Sequence, residues 1–250
     1  MKKIGISLTK VKYTFIVLYQ LNLVMSFYLN QTKFLVSVDC VIFGYEEEQL
    51  KLLLYPRAFE PVKGSWSLMG GFVKELESAD EAANRVLMET TGLSNIFLEQ
   101  VSTFSELSRD PFERVISVVY FALIRINQSD EELVKSHGAK WWPVNKLPKL
   151  IFDHREMVEK SMNILQQKAV SSLIGIELLQ EKFTFMQLRK LYEAIYQREF
   201  DPGNFRKKIL SLGVLERLNQ KNSTESKKGA YYYRLKPNVK IEVLDRIVKI

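Results

Sequence analysis

The stretch Gly70 to Leu93, GGFVKELESADEAANRVLMETTGL, is a glycine turn followed by a helix with both of its ends written in the residues. Ser78 is placed to cap the first turn, and Glu81, three residues on, to reach back to the cap: the capping-box pattern. Gly92 stands where a helix that stops takes a left-handed residue. Arg85 and Glu89 are one helical turn apart and Glu77 lies just ahead of the cap, giving the spacing G-x5-E-x7-R-x3-E-x2-G.

That spacing resembles the Nudix box, G-x5-E-x7-R-E-U-x-E-E-x-G-U with U aliphatic, the loop-helix-loop by which Nudix hydrolases hold metal and diphosphate. Gly71, Glu77, Arg85, Leu87, Glu89, Gly92 and Leu93 fall on the pattern. Val86 and Thr90 occupy two of its carboxylate positions, four residues apart and so on one helix face. Magnesium is held through carboxylates, water and phosphate oxygens. A valine offers it nothing, and a threonine hydroxyl is a weak neutral ligand. The resemblance therefore implies a kept scaffold with its chemistry removed: no catalytic residue, no metal and no cofactor are expected.

The rest of the composition sets broad limits. The chain has 250 residues, 46% hydrophobic and 26% charged, enough for one large domain or two ordinary ones. A single cysteine, Cys40, excludes an intrachain disulfide, and two histidines, His137 and His154, are too few for a histidine-based metal centre. A reducing cytoplasm suits such a chain. The net charge of +7 is unevenly spread. Residues 33–165 hold 15 basic and 20 acidic side chains, whereas residues 166–250 hold 17 and 9. A basic last third points to a polyanion partner, with a solvated basic face as the plainer reading.

Residues 1–24 begin MKKIGISLTKVK and continue into the apolar YTFIVLYQLNLV, which resembles the basic and apolar regions of a signal peptide. Gln20 and Asn22 interrupt the apolar run, no small-residue cleavage site follows, and the run is short for a span of about 20 residues. The segment reads as a non-native extension ahead of a start at Met25; a membrane anchor and a short structured extension are the alternatives.

From Lys33 the chain is strand-like, with both faces largely apolar through Phe43. Asp39 is the odd member, a carboxylate that must be paired or face a polar cavity. Leu50–Tyr55 returns as a second strand, SLMGGF feeds the glycine turn, and Ile96–Phe104 and Val115–Ile124 read as strands after the helix. Trp141 to Pro143 is extended, and LIFDHREMV opens a further helix.

The last third changes character. Thr184 and Gln187 form a second capping box, with Phe183 and Leu188 placed as a hydrophobic staple across it. Asp201-Pro202 opens the next helix, with aspartate as cap and proline in the first turn. On that helix Phe205, Ile209 and Leu212 make one buried stripe. Asn204, Lys207, Lys208 and Ser211 collect opposite it, and Arg206 lies on a flank. Gly213 ends the helix, and Val214–Leu218 and Ala230–Leu235 read as strands around NQKNSTESKKG. Helix, turn, basic helix and basic hairpin resemble a winged helix-turn-helix, whose second helix enters the major groove. Lysines such as Lys227 and Lys228 near the wing tip suit phosphates, while Asn204 and Arg206 carry side chains able to read base edges.

Both halves together resemble the Nudix-related transcriptional regulators, and within them the sugar-responsive branch that includes the arabinose regulator. FEPVKGSWSLMGGFV, RVLMETTGL, RDPFERVISV, LPKLIFDH and FTFMQLRKLYEAIY carry the likeness. The expected fold is a Nudix-type α/β/α sandwich with a mixed sheet over residues 25–165, followed by a winged helix over 166–250. The resemblance implies a homodimer on operator DNA, with a sugar or ADP-ribose-like effector in the former substrate pocket. Candidate effector groups are Asp39, Arg57, Trp66, Arg109, Asp110 and His154. The rivals are an active Nudix hydrolase of ADP-ribose or nucleotide sugars, using Glu77 and Glu89 for metal, and a membrane-tethered sensor that depends on residues 1–24.

Overall fold

The computed structural model of the chain describes residues 27–58, 60–171, 175–225 and 229–237. The chain divides into two compact units, residues 1–34 and 35–250. The segment 1–24 and the expected start at Met25 lie outside the described residues, as do Lys227 and Lys228. Among the described residues no helix is long and apolar enough to cross a membrane.

The second unit opens with a mixed sheet. Strand β1 (Leu35–Glu46) runs antiparallel to β2 (Gln49–Pro56), which also pairs with β3 (Trp66–Ser67). β1 takes β4 (Met69–Phe72) antiparallel along part of its length and, on its other edge, the long β6 (Val115–Arg125) in parallel. β5 (Glu99–Phe104) pairs with β6, and β7 (Lys140–Pro143) with β2. The parallel β1–β6 pair is what makes the sheet mixed.

Side chains alternate faces along a strand, so β1 serves two cores. Val38, Cys40 and Ile42 join Ala82, Ala83, Val86 and Leu87 of helix α1 (Ala79–Thr91). Val41, Phe43 and Tyr45 face the other way, into a cluster with Met157, Val158 and Leu165 of a helix spanning His154–Ser171. Helix α1 has the expected ends: Ser78 and Glu81 form a capping box, and Gly92 is left-handed at φ 75°. Helix α2 (Gln128–Ser136) buries only Val134, so it leaves no apolar period in the sequence to announce it. The His154–Ser171 helix is α3. It runs through residues 165 and 166, where a domain boundary was expected.

The apolar cluster on the α3 face continues without a break into the last third. It takes in Leu188, Leu191, Tyr192 and Ile195 of α4 (Phe185–Tyr196) and Phe205 and Ile209 of α5 (Pro202–Ser211). Thr184 and Gln187 form the capping box of α4, and Phe183 and Leu188 are both buried beside it. Asp201 caps α5 by accepting the Asn204 N–H at 2.8 Å. β8 (Leu215–Asn222) and β9 (Ala230–Leu235) form the hairpin, β8 extending farther than its apolar residues suggest. Phe183 and Tyr233 exchange backbone hydrogen bonds (3.0 and 2.7 Å), which ties the hairpin to the start of α4.

Candidate binding cleft and basic helix face

Asp39 sits on the α3 side of β1, in step with Ser37 and with Ser117 of the neighbouring strand. Ser117 Oγ donates to its Oδ2 at 2.5 Å. Arg109 is almost fully buried and grips Asp153 through two hydrogen bonds, Nε to Oδ2 at 2.9 Å and Nη2 to Oδ1 at 3.0 Å. Its Nη2 also stands 3.8 Å from Asp39 Oδ2. His154 accepts the Leu68 N–H at Nδ1 (3.1 Å), which leaves Nε2 facing Asp39 Oδ1 at 3.6 Å. Burial pushes the Asp39 carboxyl up to about 6 and holds the His154 imidazole down at about 4. The Asp39–His154 approach is therefore a contact between a carboxylate and a neutral ring at neutral pH, not an ion pair.

Ser37, Asp39, Arg109 and His154 line a half-open cleft whose walls also include Arg57, Gly70, Gly71, Phe72, Thr90, Asp110 and Phe152. Five of the six candidate effector residues are thus brought together: Asp39, Arg57, Arg109, Asp110 and His154. Trp66 is not among the lining residues. Ser67 takes the cleft side of that short strand, and Trp66 packs edge-on against Trp142 at 5.2 Å. Tyr55, Phe72 and Phe152 line the cleft instead, Phe152 held at φ 45° between Ile151 and Asp153 with the Arg57 guanidinium over its ring at 5.6 Å. A left-handed phenylalanine costs on the order of 1–3 kcal/mol and persists only where its surroundings dictate it. Sequence reasoning matched Phe152 to the family through LPKLIFDH but did not place it among the effector groups. It also missed Ser37, Ser67 and Ser117, of which Ser37, two residues before Asp39 in an apolar strand, was the readable signal.

Of the two carboxylates left in the box, Glu89 is exposed to a magnesium ion and Glu77 is largely covered. Arg85 bonds to both box carboxylates: Nε and Nη2 donate to Glu77 at 2.8 and 2.5 Å, and Nη1 donates to Glu89 at 3.1 Å. It also reaches the Phe72 carbonyl at 3.0 Å, anchoring the glycine turn to α1. The hydrogen bonds from Arg85 hold the Glu77 carboxyl down at about 2. Val86 is buried against the turn, close enough that a Cβ on Gly71 would stand 2.7 Å from its Cγ2. Thr90 Oγ1 turns back onto its own helix and donates to Val86 O at 2.7 Å. Among the described residues no group of three His, Cys, Asp or Glu side chains is placed to share a cation. Burial also pushes the Cys40 thiol up, leaving it an inert core group.

On α5 the residues Asn204, Lys207 and Ser211 are exposed on one face and Lys208 is half-buried beside them, opposite buried Phe205 and Ile209. Arg206 is exposed but tethered. Its Nη2 donates to Tyr233 Oη at 2.7 Å, and the guanidinium lies over the Phe185 ring at 4.6 Å. On the hairpin, Arg217 and Lys221 flank the Tyr231 ring at 4.6 and 4.7 Å.

Comparison with known proteins places both halves. The NUDIX domain model matches residues 33–161, and the NrtR DNA-binding winged helix domain model matches residues 175–235. The ADPR responsive transcriptional repressor NtrR of Acinetobacter baylyi is 31% identical over 204 residues, 80% of this chain and 81% of that protein. The ADP-ribose pyrophosphatase of Methanocaldococcus jannaschii is 34% identical over 130 residues, 51% of this chain and 72% of that one. The crystal structure of Shewanella oneidensis NrtR complexed with a 27mer DNA superposes with a TM-score of 0.66 at 32% identity, covering 81% of this chain and 94% of that one. These names refer to ADP-ribose and to DNA, and none refers to arabinose. The chain belongs to the Nudix family, in the group whose Nudix domain is followed by an NrtR winged helix.

Proposed function

We propose that the chain is a transcriptional repressor, working in the cytoplasm as a homodimer, whose winged helix holds operator DNA and whose cleft binds ADP-ribose without cleaving it. The observation that carries the reading is the seating of Val86 against Gly71 and of the Thr90 hydroxyl on its own helix, beside a cleft lined by Asp39, Arg57 and Phe152. A diphosphate finds a guanidinium there, and ribose hydroxyls find a buried carboxylate. A free pentose carries no charge for Arg57 to meet, so ADP-ribose fits the cleft better than an arabinose-like sugar. The names of the Acinetobacter and Shewanella relatives support the same assignment.

Ligand and DNA are linked through two arrangements of the chain that bind each with different affinity. The ligand shifts the DNA-competent population only by that difference, and a coupling of about 1–3 kcal/mol changes DNA affinity roughly 5–150-fold. The test is a mobility-shift titration of the full chain against a duplex it selects from a random library, with and without ADP-ribose. Release of the duplex by ADP-ribose supports the reading, and indifference to ADP-ribose removes the effector assignment.

A second reading, a magnesium-dependent ADP-ribose hydrolase, is favoured by the Methanocaldococcus relative and by the exposed Glu89. Turnover of ADP-ribose that disappears in Glu89→Gln and does not require the winged helix would establish it.

A further inference from the structure

Helix α3 reaches from the cleft to the winged helix, and both of its ends are fixed by polar contacts rather than by apolar packing alone. At 18 residues it is about 27 Å long. Its head belongs to the cleft. Asp153, immediately before it, takes both hydrogen bonds from Arg109, and His154, its first residue, accepts the Leu68 N–H. Ile151, three residues ahead of the helix, donates to the Trp66 carbonyl at 3.1 Å. The chain from Trp66 to Phe72, which carries Gly70 and Gly71 in β4, is therefore attached through Trp66 and Leu68 to the start of α3.

The tail of α3 belongs to the winged helix. Tyr196 Oη donates to the Gln166 carbonyl at 2.7 Å, and the Gln166 side-chain amide donates in return to the Ile195 carbonyl at 3.1 Å. Tyr192 Oη donates to the Ala169 carbonyl at 2.9 Å. Tyr192 also meets Phe205 of α5 ring to ring at 5.5 Å, so the basic helix follows α4. A buried polar group that loses its hydrogen-bond partner costs about 1–3 kcal/mol, which penalises a shift of α4 along α3 most at the buried Tyr192 contact. These three contacts hold α4 to one register along α3.

Resting on the repressor reading above, we propose that Gln166, Tyr192 and Tyr196 are positioning residues that carry the cleft's state to the basic helix, with α3 as the rigid member between them. A ligand seated between Gly70–Gly71 and Phe152–His154 bears on the head of α3. The helix moves as a body, and its tail takes α4, and through Phe205 α5, with it.

The experiment compares the full chain with Tyr196→Phe, Tyr192→Phe and the pair Gln166→Ala with Tyr196→Phe. Three quantities are measured: ADP-ribose affinity by calorimetry, affinity for the selected duplex, and the ratio of duplex dissociation constants with and without saturating ADP-ribose. The two phenylalanine variants remove one hydroxyl each and keep the ring, so they report even if the pair is poorly folded. Arg155→Ala, exposed on the same helix, serves as control. The expected result is that both separate affinities stay within about threefold while the ratio falls at least fivefold towards one, the control keeping the full ratio. Variants that bind both partners and keep the wild-type ratio overturn the proposal alone. Wild-type protein that binds neither ADP-ribose nor any duplex overturns the repressor reading, and this proposal with it.

Discussion

The carboxylate of Asp39 lies across Gly70, its register partner on the neighbouring strand, so a methyl group on residue 70 would overlap Oδ1. The glycine is there because the carboxylate is. Gly70→Ala should displace Asp39 from Ser117 and cost about 1–3 kcal/mol, the usual range for overpacking a tight site. It should also weaken ADP-ribose binding at least tenfold, read by thermal unfolding and calorimetry. An alanine variant with unchanged stability and ligand affinity would show that the carboxylate has somewhere else to go.

Asp39 and His154 push the pH dependence of stability in opposite directions. Burial raises Asp39 from 3.8 to about 6, so the folded chain takes that proton first, and this group makes stability rise as pH falls through 6 towards 3.8. Burial lowers His154 from 6.5 to about 4, so the unfolded chain takes that proton first, and this group makes stability fall as pH falls from 6.5 towards 4. In the wild-type chain the two largely offset. Asp39→Asn leaves only the histidine's effect, and between pH 7 and 4.5 it should lose about 2 kcal/mol more than the wild type. Urea unfolding at the two pH values measures this; parallel changes in the two proteins would remove the titrating carboxylate from the account.

On the repressor reading proposed above, Val86 and Thr90 mark the difference between a cleft that holds and one that cuts. Val86→Glu with Thr90→Glu restores two carboxylates to the pattern and should give magnesium-dependent release of AMP from ADP-ribose where the wild type gives none. It should also lower the melting temperature, because residue 86 is buried against Gly71 and a charge there must find a partner. A well-folded double variant that binds ADP-ribose and magnesium yet leaves the diphosphate intact would place the loss of chemistry elsewhere.

On α5 the exposed cations and the tethered one should behave differently. Lys207→Ala with Lys208→Ala should weaken binding to every duplex and flatten the slope of log affinity against log salt by about 2, close to one per lost phosphate contact. Arg206→Lys keeps the charge but gives up the flat guanidinium over Phe185 and the Tyr233 contact, so it should lower thermal stability with little change in salt slope. A reversed outcome, with Arg206 setting the salt slope and the lysines silent, would move the DNA-facing surface off this side of the helix.

The elements legible in the sequence were those whose ends or periods are written in side chains. Ser78, Glu81 and Gly92 bounded α1, Thr184 and Gln187 opened α4, and Asp201-Pro202 opened α5, each as the structure has it. Helix α2 was not legible, because NQSDEELVKS sends one residue into the core and a surface helix of that kind has no stripe. In the cleft, Asp39 stood out as a carboxylate in an apolar strand. Trp66 misled because a two-residue strand shows no alternation from which to tell its faces. Phe152 owes its direction to a positive φ that no residue preference announces.

Helix α3 crosses residues 165 and 166 with its core contacts intact, and the chain has no seam there at which to be divided. A fragment ending at Leu165 would stop the helix partway and leave the apolar flank of β2 and β6 bare to water. Heat or denaturant should therefore melt sensor and reader in a single step, and grafting a foreign winged helix onto this cleft would require transplanting α3 along with it.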